Sequence, residues 1–226
     1  MIASVSLLER EMYTEAEAAR LLRVPPSTLH YWLEGGTRRG TTYLPVLRPE
    51  PTDTRTVTWA EFVEAGFLRQ YRRDLRVPMP ELRQFIAILR DELGVPSPLA
   101  TFRPWSVEKK LVIEAQDRSG LPDDLWVYAP VGGQQVLLPP GQKFLDRVDW
   151  ENDVAARWRP DPESDSPVVI DPDRRFGRPS VHGISTEVLW EYSEDGYTEA
   201  EIAEEYALSK SDVSWAITFE NTIQAA

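Results

Sequence analysis

Apolar positions fall three and four residues apart through much of this chain, the spacing of amphipathic helices, and short alternating runs between them read as strands. The pattern also repeats. Tyr13-Thr14-Glu15-Ala16-Glu17 returns 184 residues later as Tyr197-Thr198-Glu199-Ala200-Glu201, and the match runs without a gap through Ala19 and Ala203, Val24 and Leu208, Ser27 and Ser211, and Leu29 and Val213. Each copy predicts a helix-turn-helix. Thr14 with Glu17, and Thr198 with Glu201, form capping boxes in which the hydroxyl takes an orphan amide and the carboxylate reaches back to the cap. Ala19, Leu22 and Val24 supply the buried face of one copy, and Ala203, Tyr206 and Leu208 that of the other. A second short helix follows in each, anchored by Leu29 and Trp32 or by Val213 and Ile217.

After the first copy, Glu34-Gly35-Gly36 ends the second helix. Tyr43 to Arg48 and Thr54 to Thr58 read as two strands of a wing around a Pro-Glu-Pro-Thr-Asp turn. Thr58 with Glu61 opens a helix carrying Phe62, Ala65, Leu68 and Leu75. Pro80 starts another, carrying Leu82, Phe85, Ile86, Leu89 and Leu93 and closed by Gly94. Further on, Leu111-Val112-Ile113 and Leu125 to Tyr128 read as strands, and Gly132-Gly133 before Gln134 to Leu138 as a hairpin. Phe144 to Val148 fits strand or helix equally. Arg159 to Pro167 has linker composition, after which Val168 to Ile170 is a short strand and Thr186 to Asp195 a helix. The expected fold is mainly α with minor β. It comprises an N-terminal winged helix-turn-helix over 1–95, a small β-containing middle region over 96–160, and an acidic helical domain over 161–226.

Charge separates the two copies. Residues 1–83 carry 12 basic and 11 acidic side chains, whereas residues 161–226 carry 4 and 15. DNA binders gain affinity by placing Lys and Arg against phosphates, so the first copy suits DNA and the second is repelled by it. In the first, Ser27, Thr28, His30 and Tyr31 fall on the solvent side of the second helix, where base edges are read. Arg38, Arg39, Arg48 and Arg55 fall on the wing, where the flanking backbone is held. With no cysteine, thiolate metal sites, cysteine nucleophiles and disulfides are excluded. No catalytic constellation is visible, so neither an enzyme nor a cofactor is expected. The absence of a long apolar run or a signal pattern predicts a cytoplasmic protein without membrane contact.

Tyr13 to Leu22, Val24 and Ser27-Thr28-Leu29-His30-Tyr31-Trp32 together resemble the MerR-type winged helix-turn-helix. That family usually has glycine at the turn, where this chain has Arg23, and commonly arginine where His30 stands. Its metal sensors bind through cysteines absent here. Val168-Val169-Ile170-Asp171-Pro172, then Gly177-Arg178-Pro179-Ser180-Val181-His182-Gly183 and on to Phe219, resembles the domain of unknown function 433, with Ile184-Ser185 in place of the usual arginine. Together the two resemble a VapB-class antitoxin. The resemblance implies operator DNA and a PIN-like ribonuclease toxin as partners, in a homodimer or a hetero-oligomer with the toxin. The helix Leu82–Leu93 is then the expected dimer element. A basic RNA-binding groove on such a toxin would be complemented by the acidic domain. Arg174, Arg175 and Arg178, a basic island within it, could reach the toxin's metal-site carboxylates or pair internally with Asp171, Asp173 or Glu187. Trp215 and Phe219 are candidate hot-spot residues for the same contact, with Trp190 and Tyr192 beside them. The alternative is a MerR-like transcription regulator that senses a small molecule or protein partner through its middle and tail.

Overall fold

The computed structural model describes residues 6–161 and 165–225. It is mainly helical with several small sheets, as the hydrophobic pattern predicts. Two compact units share the chain. Unit 1 holds residues 1–146 and 150–155, and unit 2 holds 147–149 and 156–226. The stretch expected as a middle region, 96–160, is thus divided between them. Pro162, Glu163 and Ser164 of the expected linker lie outside the described residues.

In unit 1, a 3-10 turn (Leu7–Glu9) leads into strand β1 (Glu11–Thr14) and helix α1 (Glu15–Leu21). Thr14 Oγ1 accepts the Glu17 amide at 3.2 Å and the Glu17 carboxylate accepts the Thr14 amide at 2.8 Å, completing the first capping box. Arg23 makes the turn at φ 53 and the Val24 amide returns to the Ala19 carbonyl at 3.0 Å. Helix α2 (Pro26–Glu34) then buries Leu29, Trp32 and Leu33.

The wing differs from the expected one. Its strands are β2 (Gly36–Arg38) and β3 (Thr41–Tyr43), joined by Arg39 and Gly40, both at positive φ. Pro45, Val46 and Leu47 turn inward instead, while Leu44 stays exposed, and the Val46 and Leu47 amides both donate to the Trp32 carbonyl. Gly35 makes this possible: a Cβ there would meet the Tyr43 carbonyl oxygen at 2.2 Å. The other expected wing strand, realised as β4 (Thr56–Thr58), pairs with β1, placing Val57 opposite Tyr13.

Helix α3 (Trp59–Arg69) opens on the predicted Thr58–Glu61 capping box and is buried on all sides from Trp59 to Leu68, which makes it the axis of the unit. It runs into a π-helical turn, Gln70–Asp74, whose Gln70 side-chain amide donates to the Pro140 carbonyl at 2.8 Å. Helix α4 (Met79–Leu93) ends at Gly94 in the left-handed conformation, as predicted. Its Leu82, Phe85, Ile86 and Leu89 are fully buried, and it packs against α6 within the same unit. The apolar face expected to form a dimer is already occupied.

Helix α5 (Arg103–Ser106) is followed by α6 (Lys109–Ser119), which overturns the strand expected at Leu111-Val112-Ile113. Three consecutive branched residues suggested a strand, but the residues buried are Val112, Ala115, Gln116 and Ser119. That spacing is helical. The predicted hairpin forms from β5 (Tyr128–Val131) and β6 (Gln134–Leu137) around Gly132-Gly133. Leu125 to Val127 stays outside it. The ambiguous stretch near Phe144 splits into helix α7 (Pro139–Leu145) and strand β7 (Val148–Glu151). Phe67 stacks on Tyr71 at 4.2 Å and meets Phe144 edge-on at 5.3 Å, with Phe85 and Trp105 completing the aromatic core.

The chain passes between the units along β7 and β8 (Val154–Trp158). In unit 2, Trp158 and Ile170 exchange backbone hydrogen bonds at 2.9 and 2.8 Å. Strands β9 (Val168–Val169), β10 (Ser180–Val181) and β11 (Ile184–Ser185) form a small antiparallel sheet. Helices α8 (Thr186–Glu194), α9 (Glu199–Glu205) and α10 (Lys210–Gln224) complete the unit, the last much longer than expected. The repeat extends to its backbone. The turn residue equivalent to Arg23 is Ala207, at φ 52.

Candidate nucleic-acid interface and partner surface

On unit 1, a cleft of ≈ 440 Å³ is lined by Thr28, Tyr31 and Trp32 from α2, Arg38 from the wing, and Arg72, Arg73 and Met79 from the α3–α4 connection. The Arg38 guanidinium lies 3.9 Å from the centre of the Tyr31 ring. Arg83 reaches the hydroxyl of the same tyrosine at 3.4 Å and donates to the carbonyls of Leu44 and Pro45, which follow the wing. Arg73 donates to the Arg23 carbonyl at 2.8 Å, tying the turn of the helix-turn-helix to the cleft. Ser27 is exposed at the start of α2, and Arg39 is exposed at the wing tip. A half-open cleft with this many guanidinium groups is suited to phosphate, which arginine meets with a planar fork of donors.

The structure gathers Thr28, Tyr31 and Arg38 of the expected residues and separates three others. Arg48 is not on the wing surface. Its side chain is 4% exposed, its Nε donates to Glu61 at 2.7 Å, and it is also paired with Glu34. Burial works against its charge, but Glu61 and Glu34 more than offset this and raise its pKa. Partial burial likewise pushes Glu34 up, yet the Asp53 and Thr52 amides and Arg48 hold it below the usual carboxylate range. Arg48 is a structural ion, off any surface where a phosphate could be met. His30 and Arg55 converge on one buried carboxylate: His30 Nδ1 lies 3.0 Å and Arg55 2.8 Å from Glu15. Sequence reasoning missed Arg72, Arg73 and Arg83. The only signal for Arg72 and Arg73 was the basic run from Arg69 to Arg76, which nothing in the spacing tied to α2, and Arg83, within α4, had none.

On unit 2, the three arginines of the basic island have local partners. Arg174 lies 3.7 Å from Asp171, Arg178 lies 3.0 Å from Glu187, and Arg175 Nε donates to the Gly183 carbonyl at 3.0 Å. The internal pairing with acidic neighbours that the sequence left open is realised for Arg174 and Arg178, and Arg175 is held by a carbonyl instead. Phe219 is 1% exposed and belongs to the core with Val213 and Ala216, so it offers nothing to a partner. Trp215 is half-buried. The residue that protrudes instead is Phe176, 89% exposed at φ 55 between Arg175 at φ 51 and Gly177 at φ 69. In the same unit, Tyr192, Tyr197, Glu201, Glu204 and Glu205 line a second cleft of ≈ 480 Å³. Among the described residues, no cluster of three or more potential ligands could hold a metal ion, and no helix is long and apolar enough to cross a membrane.

Residues 168–219 match the family described as Protein of unknown function (DUF433). The chain is 29% identical to Uncharacterized protein Rv2308 of Mycobacterium tuberculosis (strain ATCC 25618 / H37Rv), covering 98% of this chain and 94% of that protein. Its fold is similar to the X-ray crystal structure of Rv2018 from Mycobacterium tuberculosis, with a TM-score of 0.74 and 26% identity over 93% of this chain and 99% of that one. It is 31% identical to the protein of the same strain named Putative antitoxin VapB45, over 78% of this chain and 79% of that protein. The chain therefore belongs to the family of that antitoxin-like protein.

Proposed function

We propose that this protein is the antitoxin of a toxin–antitoxin pair. Unit 2 binds and neutralises a PIN-like ribonuclease toxin, and the helix-turn-helix of unit 1 binds operator DNA to regulate its own operon. The protein itself performs no catalysis in this reading. The observation that carries it is the segregation of charge on the two copies of one motif. The first is bordered by Arg38, Arg72 and Arg73 around a cleft, and the second by Glu201, Glu204 and Glu205. The former complements phosphates, and the latter a groove built to hold RNA. Membership of a family that includes a protein named as an antitoxin supports the same reading. The tight aromatic packing of Phe67, Phe85, Trp105 and Phe144 favours it over a sensor with a ligand chamber in that part of the chain.

The test is co-expression of the full chain with the product of the neighbouring reading frame. That product should be toxic alone and harmless with the antitoxin, and the purified complex should shift a DNA fragment carrying the promoter. A harmless neighbour, or toxicity that the full chain leaves untouched, would overturn the proposal.

A further inference from the structure

Two surfaces of unit 2 stand open to solvent, and they are complementary. The first is the loop Arg174-Arg175-Phe176-Gly177-Arg178. Asp171 and Glu187 hold its arginines by their edges, yet the side chains of Arg174 and Arg178 stay 71% and 66% exposed. Arg175 and Phe176 both stand in the left-handed region, which is costly for residues with a Cβ. The Arg175–Gly183 bond and the Gly177 amide, which donates to the Arg174 carbonyl at 2.9 Å, sustain that conformation. Its effect is to push a phenyl ring almost wholly into water, flanked by cations. A large ring held out in this way is the kind of rigid anchor that dominates protein interfaces.

The second surface is the cleft of Tyr192, Tyr197, Glu201, Glu204 and Glu205, with a volume of ≈ 480 Å³. Tyr192 and Tyr197 stand 5.2 Å apart with their planes tilted by 49°, and Tyr206 abuts Tyr192 edge-on at 5.4 Å. Tyr197 is half exposed, so an aromatic face is open to the cleft mouth. None of the lining residues is basic. From Gly183 to the C-terminus the chain has ten carboxylates against one basic side chain, Lys210. A cleft with tyrosine walls and a glutamate rim accepts a phenyl ring by edge-to-face packing and a guanidinium by cation–π contact and ion pairing.

We infer that unit 2 associates with a second copy of this chain, the Phe176 loop of one copy seating in the Tyr192–Tyr197 cleft of the other. Charge complementarity selects this occupant, because the chain carries both the cationic aromatic plug and the anionic aromatic socket. The association requires neither toxin nor DNA, so it is read on the chain alone; it engages the same glutamates that the antitoxin reading turns toward a toxin, for which a second copy and a toxin compete.

Sedimentation velocity on the full chain tests it. The wild type should associate reversibly on concentration, and less tightly as salt is raised. Phe176→Gly removes the ring and the backbone strain together. It should weaken association by about thirtyfold, the effect of losing a hot-spot anchor, while the unfolding midpoint stays equal or rises. The double variant Glu204→Lys, Glu205→Lys should weaken it similarly. Each variant should be monomeric where the wild type is associated, yet a mixture of the two should associate again, because one keeps an intact cleft and the other an intact loop. A wild type that stays monomeric at every concentration overturns the inference. So does association that both variants leave unchanged, a mixture that fails to recover it, or a Phe176 effect seen only with a different protein as partner.

Discussion

The Arg38 guanidinium lies over the Tyr31 ring, 3.9 Å from its centre, so the wing and the second helix of the helix-turn-helix present one joint basic surface. The cation–π contact holds a charge that would otherwise sweep through solvent. Arg72 and Arg73 face the same cleft from the next helical segment.

On this basis, Arg38→Ala with Arg72→Ala should weaken binding to a promoter fragment. The slope of log affinity against log salt should flatten by about 0.9 for each phosphate that the variant no longer neutralises. Fluorescence anisotropy across a salt series reads this directly. An unchanged slope would remove the cleft from the interface.

Arg48→Met should behave differently. It strands the carboxylates of Glu34 and Glu61 in a buried site, so the expected loss of stability is about 3–5 kcal/mol. The salt slope of the protein that remains folded should be unchanged. A variant of normal stability with a flattened slope would reverse the assignment of Arg48 as a structural ion.

Glu64 predicts how unit 1 responds to pH. It is fully buried in α3, accepts the Leu99 amide at 2.9 Å, and has its pKa pushed up to about 8 by burial, an effect that Arg90 and that amide only partly offset. Between its unfolded value near 4.5 and about 8, the folded chain holds a proton that the unfolded chain has released. Stability from this group is therefore full below pH 4.5 and lost as pH rises through 8. Glu64→Gln should abolish that fall, giving an advantage at about pH 8 on the order of a few kcal/mol. Parallel stability curves for the two proteins from about pH 5 to 8 would count against it.

Ala207 occupies the turn of the second helix-turn-helix at φ 52, exposed to solvent. Ala207→Gly should stabilise the protein by about 0.5–1 kcal/mol, because relief of the left-handed strain exceeds the entropy that glycine adds to the unfolded chain. Thermal unfolding is the measurement, and a lower midpoint would show that the turn is not strained.

Much of this was legible in the chain. The capping boxes at Thr14, Thr58 and Thr198 are interactions three residues apart, so sequence alone specifies both partners. The repeat of Tyr13 to Leu29 in Tyr197 to Val213 predicted two helix-turn-helix motifs for the same reason, and the charge difference between them is a matter of counting. The tertiary structure decided what depends on distant neighbours. Leu111 to Ile113 is helical because Val112, Ala115 and Gln116 share one buried face, and a run of three branched residues cannot reveal which faces will be covered. Arg48 became a core ion because Glu34 and Glu61, 14 and 13 residues away, converge on it. Phe219, expected at an interface, closes a helical core, and Phe176, to which the sequence assigned no place, is lifted into solvent by a left-handed turn. Residue type says what a side chain can do, but only the packing of the whole chain determines whether water, a carboxylate or another ring is there to meet it.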